Sequence, residues 1–224
     1  GFCCVRCRWG AWWFGRRRGG WGDCACGRPG VTPGCEVFGQ RDCKGEGKHG
    51  ILGRNTSGGQ VAIWLMNGFS VSQTGGVGSV TSDWQIVGTG DFNADARSDI
   101  LWRHTSGLVA VWLMNGAAVT QSAGIGSATT DWTIAETADL NSNGTSDILW
   151  RQTAGALGMW LMNGVSVAQA GGLPGVTTDW QVVGQRDFNG DGKHDILWRN
   201  NSSGQEGTWL MNGFTVSPTR GAGE

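Results

Sequence analysis

Apolar residues along the chain gather into short runs separated by Gly, Asn, Asp, Ser and Thr. "WQIVG" from Trp84, "DILWR" from Asp99, "VAVWLM" from Val109 and "AAVTQ" from Ala117 follow one another in this way, and helical periodicity is absent throughout. Runs of this length, rich in Val, Ile and Trp and bounded by turn residues, predict four short β-strands. Between the third and fourth lies Asn115 with Gly116, a dipeptide that predicts a two-residue hairpin loop with both residues at positive φ. No stretch approaches the ~18 consecutive apolar residues of a membrane span, so membrane insertion is not expected.

The four-run pattern recurs. "WLMNG" begins at Trp64, Trp112, Trp160 and Trp209, at spacings of 48, 48 and 49 residues. The pair "DW" returns at Asp83, Asp131 and Asp179, and "DILW" at Asp99, Asp147 and Asp195. A four-stranded module repeated at a period in the forties predicts an all-β fold, a β-propeller whose blades bury apolar faces against their neighbours. The units are placed at 31–82, 83–130, 131–178 and 179–220, and four of them are expected to form part of a larger ring. A β-solenoid is the rival, but its coils are usually shorter and lack regular Asn-Gly hairpins.

Composition adds tight turns and indole anchoring: there are 41 Gly and 14 Trp in 224 residues, with no Tyr. The net charge of -1 is uneven. Residues 1–30 hold six Arg against Asp23 alone, whereas the rest of the chain holds eleven Lys and Arg against seventeen Asp and Glu. An acidic body offers no phosphate-binding face, so nucleic acid is not an expected partner. All seven Cys lie at or before Cys43, which fits neither a disulfide framework nor a zinc site serving the repeats. Residues 31–55 align without gaps on residues 176–200, with Gly34, Cys35, Cys43, Lys44, Glu46, Gly50 and Gly53 among the changed positions. Upstream the repeat dissolves, and residues 1–30 are expected to be disordered or translated out of frame, while residues 221–224 form a tail.

The chemistry sits ahead of the second strand. Asp187, Asn189, Asp191 and Asp195 occupy relative positions 1, 3, 5 and 9 of "DFNGDGKHD", with Gly190 and Gly192 between them. Asp91, Asn93, Asp95 and Asp99 repeat the set, and Asp139, Asn141, Asn143 and Asp147 repeat it with one charge fewer. A hard cation such as Ca²⁺ takes six to eight oxygen ligands at about 2.3–2.6 Å, which such a loop with a backbone carbonyl at position 7 largely supplies. Without a cation the carboxylates should repel and raise one another's pKa. Position 12 is Trp198 and a strand follows, so this is no EF-hand. Asx-type turns that start a strand would produce the same residues without any metal.

"DFNGDGKHDILWRN" followed by "WLMNG" resembles the FG-GAP and VCBS-type repeats of bacterial surface and secreted proteins, related in loop chemistry to the calcium-binding blades of integrin α-subunits. The resemblance implies calcium ligands at the positions just named, with the carbonyls of Arg97, Thr145 and Lys193 at position 7. It implies no metal in the first unit, where Lys44 and Gly50 depart from the pattern, and some strain at Ala96, which stands where Gly is usual. It also implies an extracellular or cell-surface setting.

Trp64, Trp112, Trp160 and Trp209, and likewise Trp102, Trp150 and Trp198, are expected to pack between blades. Arg54, Arg103, Arg151 and Arg199 are expected to bind carboxylates or carbonyls of their own blade. Catalysis needs an asymmetric constellation, and the departures from repetition are Glu136, His104 and Glu206. No nucleophile, base or paired acid accompanies them. The expected function is therefore a non-enzymatic, calcium-stabilised recognition or adhesion propeller with a carbohydrate or protein ligand. The alternative is part of a secreted polysaccharide lyase or hydrolase built on a propeller scaffold.

Overall fold

A computed structural model describes residues 35–218, except 43, 44, 46 and 48. The expectations for residues 1–30, for Lys44 and for the tail at 221–224 fall outside the described residues. Sixteen strands form four antiparallel sheets, each in simple meander order, and no helix occurs among the described residues. The first sheet comprises β1 (Cys35–Arg41), β2 (Gly50–Asn55), β3 (Gln60–Asn67) and β4 (Ser70–Ser79). The second comprises β5 (Trp84–Gly90), β6 (Asp99–His104), β7 (Leu108–Asn115) and β8 (Ala118–Ser127). In the third are β9 (Trp132–Ala138), β10 (Asp147–Gln152), β11 (Leu157–Asn163) and β12 (Ser166–Leu173). The fourth holds β13 (Trp180–Arg186), β14 (Asp195–Asn200), β15 (Glu206–Asn212) and β16 (Thr215–Pro218). These four-stranded meanders, packed face to face in sequence, are β-propeller blades.

Two local features differ from expectation. In the β7–β8 hairpin Asn115 pairs with Ala118, so the loop residues are Gly116 and Ala117. Only Gly116 has positive φ, at 63°, which gives a Gly-first turn rather than an Asn-Gly one. β8 also continues past "AAVTQ" to Ser127, with register shifts that let its glycine-rich half follow the twist of β7.

Strand alternation sends one face of each sheet to the blade before it and the other to the blade after it. Ile100 and Trp102 join Leu52, Val61, Ile63 and Leu65 of the first sheet in one buried cluster. Leu101, Val109 and Val111 point the other way, into a cluster with Ile148 and Trp150 of the third sheet. Leu149, Leu157 and Met159 then meet Ile196 and Trp198 of the fourth. Because both faces of an inner blade are covered, the "DIL" run is buried throughout.

Arginine closes each seam. Arg54 donates to the carbonyls of Val80, Thr81 and Trp84 and lies over the Trp102 ring at 5.6 Å. Arg103 reaches Ala128 and Thr129 and covers Trp150, and Arg151 reaches Val176 and Thr177 and covers Trp198. The carbonyls lie on the connector to the next sheet or, for Trp84, at the start of that sheet, which also holds the indole. The arginines therefore act between blades rather than within one. The tryptophans pack as expected, with Trp102 against Trp112, Trp150 against Trp160, and Trp198 against Trp209, at centroid separations of 4.9, 4.9 and 5.1 Å.

Candidate functional site

The acidic loops leave the first strand of each blade and enter the second. In the second blade Asp91 accepts the amides of Asp95 (3.1 Å) and Ala96 (2.7 Å), which folds the loop back on its first residue. Asp187 does the same for Gly190, Asp191 and Gly192, and Asp139 for Asn141, Asn143 and Gly144. Position 5 caps the next turn: Asp95, Asn143 and Asp191 accept the amides of Arg97, Thr145 and Lys193. Side chains at positions 3 and 5 meet, with Asn93 donating to Asp95 at 3.3 Å and Asn189 to Asp191 at 3.2 Å. Positions 1, 3 and 5 are thus brought together around a common turn.

The loop conformation demands left-handed backbone. Gly190 and Gly192 supply it in the fourth blade, Ser142 and Gly144 in the third, and Ala94 and Ala96 in the second, at φ of 60° and 63°. Strain at Ala96 was expected; Ala94 shares it.

Position 9 has a different task. Asp99 is fully buried, one oxygen accepting the Phe92 amide (2.9 Å) and the other the Met114 amide (2.8 Å). Asp147 holds Leu140 and Met162, and Asp195 holds Phe188 and Met211, in the same way. Each of these carboxylates ties the acidic loop to the third strand across the second. Position 9 therefore faces the blade interior, and among the described residues no three His, Cys, Asp or Glu side chains gather in a set able to hold a metal ion.

In the fourth loop backbone amides outweigh the charge crowding. Asp187 is held below the usual range chiefly by the Gly192 amide, and Asp191 chiefly by the Lys193 amide. Lys193 and Arg97 also pair with Asp191 and Asp95 at 3.3 and 3.1 Å, supplying an internal countercharge at position 7 that spacing alone did not reveal. The buried carboxyls behave oppositely. Desolvation pushes Asp99 and Asp147 up to about 7, against the pull of the two amides each accepts. A cation in the second loop would find two carboxylates, the position-7 carbonyl and the Asn93 Oδ1. That amide oxygen is buried and has no hydrogen-bond partner. This donor set of hard oxygens fits Ca²⁺ better than a softer ion.

Two of the asymmetric residues have partners within their own blades. His104 bonds Asp83 at 2.5 Å, where Gln152 and Asn200 bond Asp131 and Asp179 in the later blades. Glu136 accepts the amide of its neighbour Thr137. A cleft of about 480 Å³ opens on the third blade, lined by Trp132, Trp150 and Trp160 together with Ser127 at the end of β8 and Thr129 of the connection that follows. The repeat pattern had assigned Trp150 and Trp160 to packing between blades.

Stacked four-stranded meanders with an acidic loop before each second strand define a propeller-type repeat protein. Residues 91–150 match the family model of the FG-GAP-like repeat, and the same motifs recur in the other units. No curated protein matches the chain. Among solved structures it is similar to the WD40 domain of SCAP from fission yeast, at 11% identity and a TM-score of 0.43, over 85% of this chain and 49% of that one. It is also similar to the V. cholerae biofilm matrix protein Bap1, at 16% identity and a TM-score of 0.34, over 80% of this chain and 31% of that one. The chain thus spans about half of the first and under a third of the second.

Proposed function

We propose that the chain is a non-enzymatic recognition module of the extracellular space or cell surface, stabilised by calcium in its acidic loops and binding carbohydrate through an aromatic cleft. The observation that carries the ligand class is the pair of partly exposed indoles, Trp132 and Trp160, at a cleft of about 480 Å³. That volume suits a sugar ring or two, and flat indole faces match the C–H face of a pyranose while nearby hydroxyls accept and donate at its edge.

Calcium has a supporting part. The second and fourth loops offer two carboxylates each and the third offers one, so the third is the weakest site. At the ~0.1–1 mM affinity of extracellular modules, millimolar calcium would stabilise each loop by about 0.4–1.4 kcal/mol through mass action. Such sites would stand empty at cytosolic calcium levels, which supports the extracellular placement.

A glycan array probed with and without chelator tests the reading, with Trp132→Ala as control. Binding that disappears in the variant supports carbohydrate recognition. A silent array alongside capture of a protein ligand moves the ligand class, and hydrolysis of any polysaccharide overturns the non-enzymatic assignment. Melting in calcium against chelator tests the metal independently: equal midpoints remove it.

A further inference from the structure

The turn joining β6 to β7 reads "HTSG" and lies apart from both the acidic loops and the cleft of the third blade. In it the Ser106 hydroxyl is 2.6 Å from His104 Nδ1, and His104 Nε2 is 2.5 Å from Asp83 Oδ2. The donors fix the tautomer. The Ser106 amide also meets Nδ1, at 3.0 Å, and an amide N–H can only donate. Nδ1 is therefore the lone-pair nitrogen, the ring proton sits on Nε2 toward Asp83, and the Ser106 O–H points at a free base. Hydrogen bonds from Thr81 and His104 hold the Asp83 carboxyl below the usual carboxylate range. Spacing along the chain found no nucleophile for His104; the turn supplies one two residues on.

The first blade shows what the imidazole adds. Its turn "NTSG" places the Ser57 hydroxyl and amide on Asn55 Oδ1 at 2.8 and 2.9 Å, so an exposed serine is held in the same way. There the acceptor is a carboxamide oxygen, which is no base. In the fourth blade Asn200 stands at this position, bonding Asp179 and accepting the amides of Ser202 and Ser203. Asparagine thus suffices for the turn, and histidine brings a proton acceptor that the fold does not require.

We propose that Ser106 is a modification site, a nucleophile that takes an acyl group from an activated ester. Its Oγ adds to the ester carbonyl while its proton passes to His104 Nδ1, and Asp83 steadies the imidazolium that forms. The adduct collapses by breaking the bond to the leaving oxygen, which departs with that proton. An O-acyl serine and a free alcohol or phenol result. A cleft of about 350 Å³ borders His104 and Thr105, and its Val87, Trp132 and Ile134 walls offer apolar surface to a short acyl group.

The same turn limits the chemistry to one acylation. The Thr105 amide donates to the Asp83 carbonyl, the Gly107 amide to the His104 carbonyl and the Ser106 amide to Nδ1, so the turn offers no amide to an oxyanion. An activated ester reacts without that help because its leaving group is good. The alkyl ester formed on Ser106 has a poor one and persists. The proposal is thus compatible with a non-enzymatic module and independent of its carbohydrate ligand.

Treatment with p-nitrophenyl acetate followed by peptide mapping tests the site. Acetylation of Ser106, as an ester that hydroxylamine removes, is expected about 100-fold faster than that of Ser57, the low end for a positioned general base. That comparison lies within one wild-type chain and needs no variant to fold. His104→Asn should bring Ser106 down to the Ser57 rate, with circular dichroism unchanged because the first and fourth blades already carry Asn there. Equal rates at Ser57 and Ser106, or a His104→Asn variant acetylated as fast as the wild type, overturns the proposal. Release of nitrophenol far beyond one equivalent per chain, abolished by Ser106→Ala, overturns the limit to a single acylation and makes the site a hydrolase.

Discussion

The second acidic loop holds two L-residues where glycine would be at ease, and this sets a measurable penalty. A left-handed conformation costs a residue with a Cβ roughly 1–2 kcal/mol, while glycine costs about 0.5–1 kcal/mol in lost chain freedom. Ala96→Gly should therefore raise stability by about 0.5 kcal/mol, and Ala94→Gly by a similar amount, read by chemical denaturation. A loss of stability in both would mean that the methyl groups pack usefully. The buried carboxyls set a pH dependence of definite sign. Asp99 and Asp147 titrate near 7 in the folded chain because burial disfavours their charge, against 3.8 when exposed. Between those values the folded chain binds protons that the unfolded chain has released, so these groups make stability fall as pH rises from about 4 to 7. In chelator the urea midpoint should drop across that interval. Asp147→Asn should flatten the slope and lower stability at every pH, since its amide group presents a donor to one of two donors. A midpoint that climbs through the interval would show that the two amides win over burial.

At the level of elements, the repeat spacing made strand number and strand order legible, because every copy places the same residues at the same step. Direction across a seam was not legible. Arg54 could be seen to end a strand, but nothing in "GRN" tells whether its partners lie in its own sheet or beyond it. Likewise Asp195 looked like one more member of an acidic cluster, since spacing gives proximity along the chain and says nothing of which face a carboxylate takes. Asn115 misled for a related reason: the Asn-Gly signal was real, but pairing of Asn115 with Ala118 moved the loop one residue on. The seam arginines yield a graded test. Arg54 is 5% exposed and serves three carbonyls, whereas Arg103 serves two. With about 1.5–3 kcal/mol for a charge-assisted bond group of this kind, Arg54→Ala should cost more than Arg103→Ala, by about 1 kcal/mol. Lysine should rescue neither, since a single ammonium cannot span two or three carbonyls and cover a ring. Equal losses, or full rescue by lysine, would reduce the clasp to simple charge.

For the molecule as a whole, stability should follow the seams, because each blade buries its faces only against neighbours. Arrays of this kind behave as coupled units with intrinsic terms for each repeat and interface terms between adjacent ones. The third and fourth blades meet through Ile196, Trp198 and Met211 against Leu149, Leu157 and Met159, and Trp198 also carries the Arg151 side chain. Trp198→Ala removes the largest contributor to that seam, a loss of about 3–5 kcal/mol for a buried aromatic, while leaving the first two seams untouched. In hydrogen exchange, amides of β13 to β16 should open early in the variant, those of β9 to β12 should weaken in part, and those of β2 and β3 should keep their wild-type protection. The gradient separates two pictures of the molecule. Uniform acceleration over all four sheets would mean that the blades unfold as one cooperative block, and the seams would then be contacts within a single core instead of joints between modules.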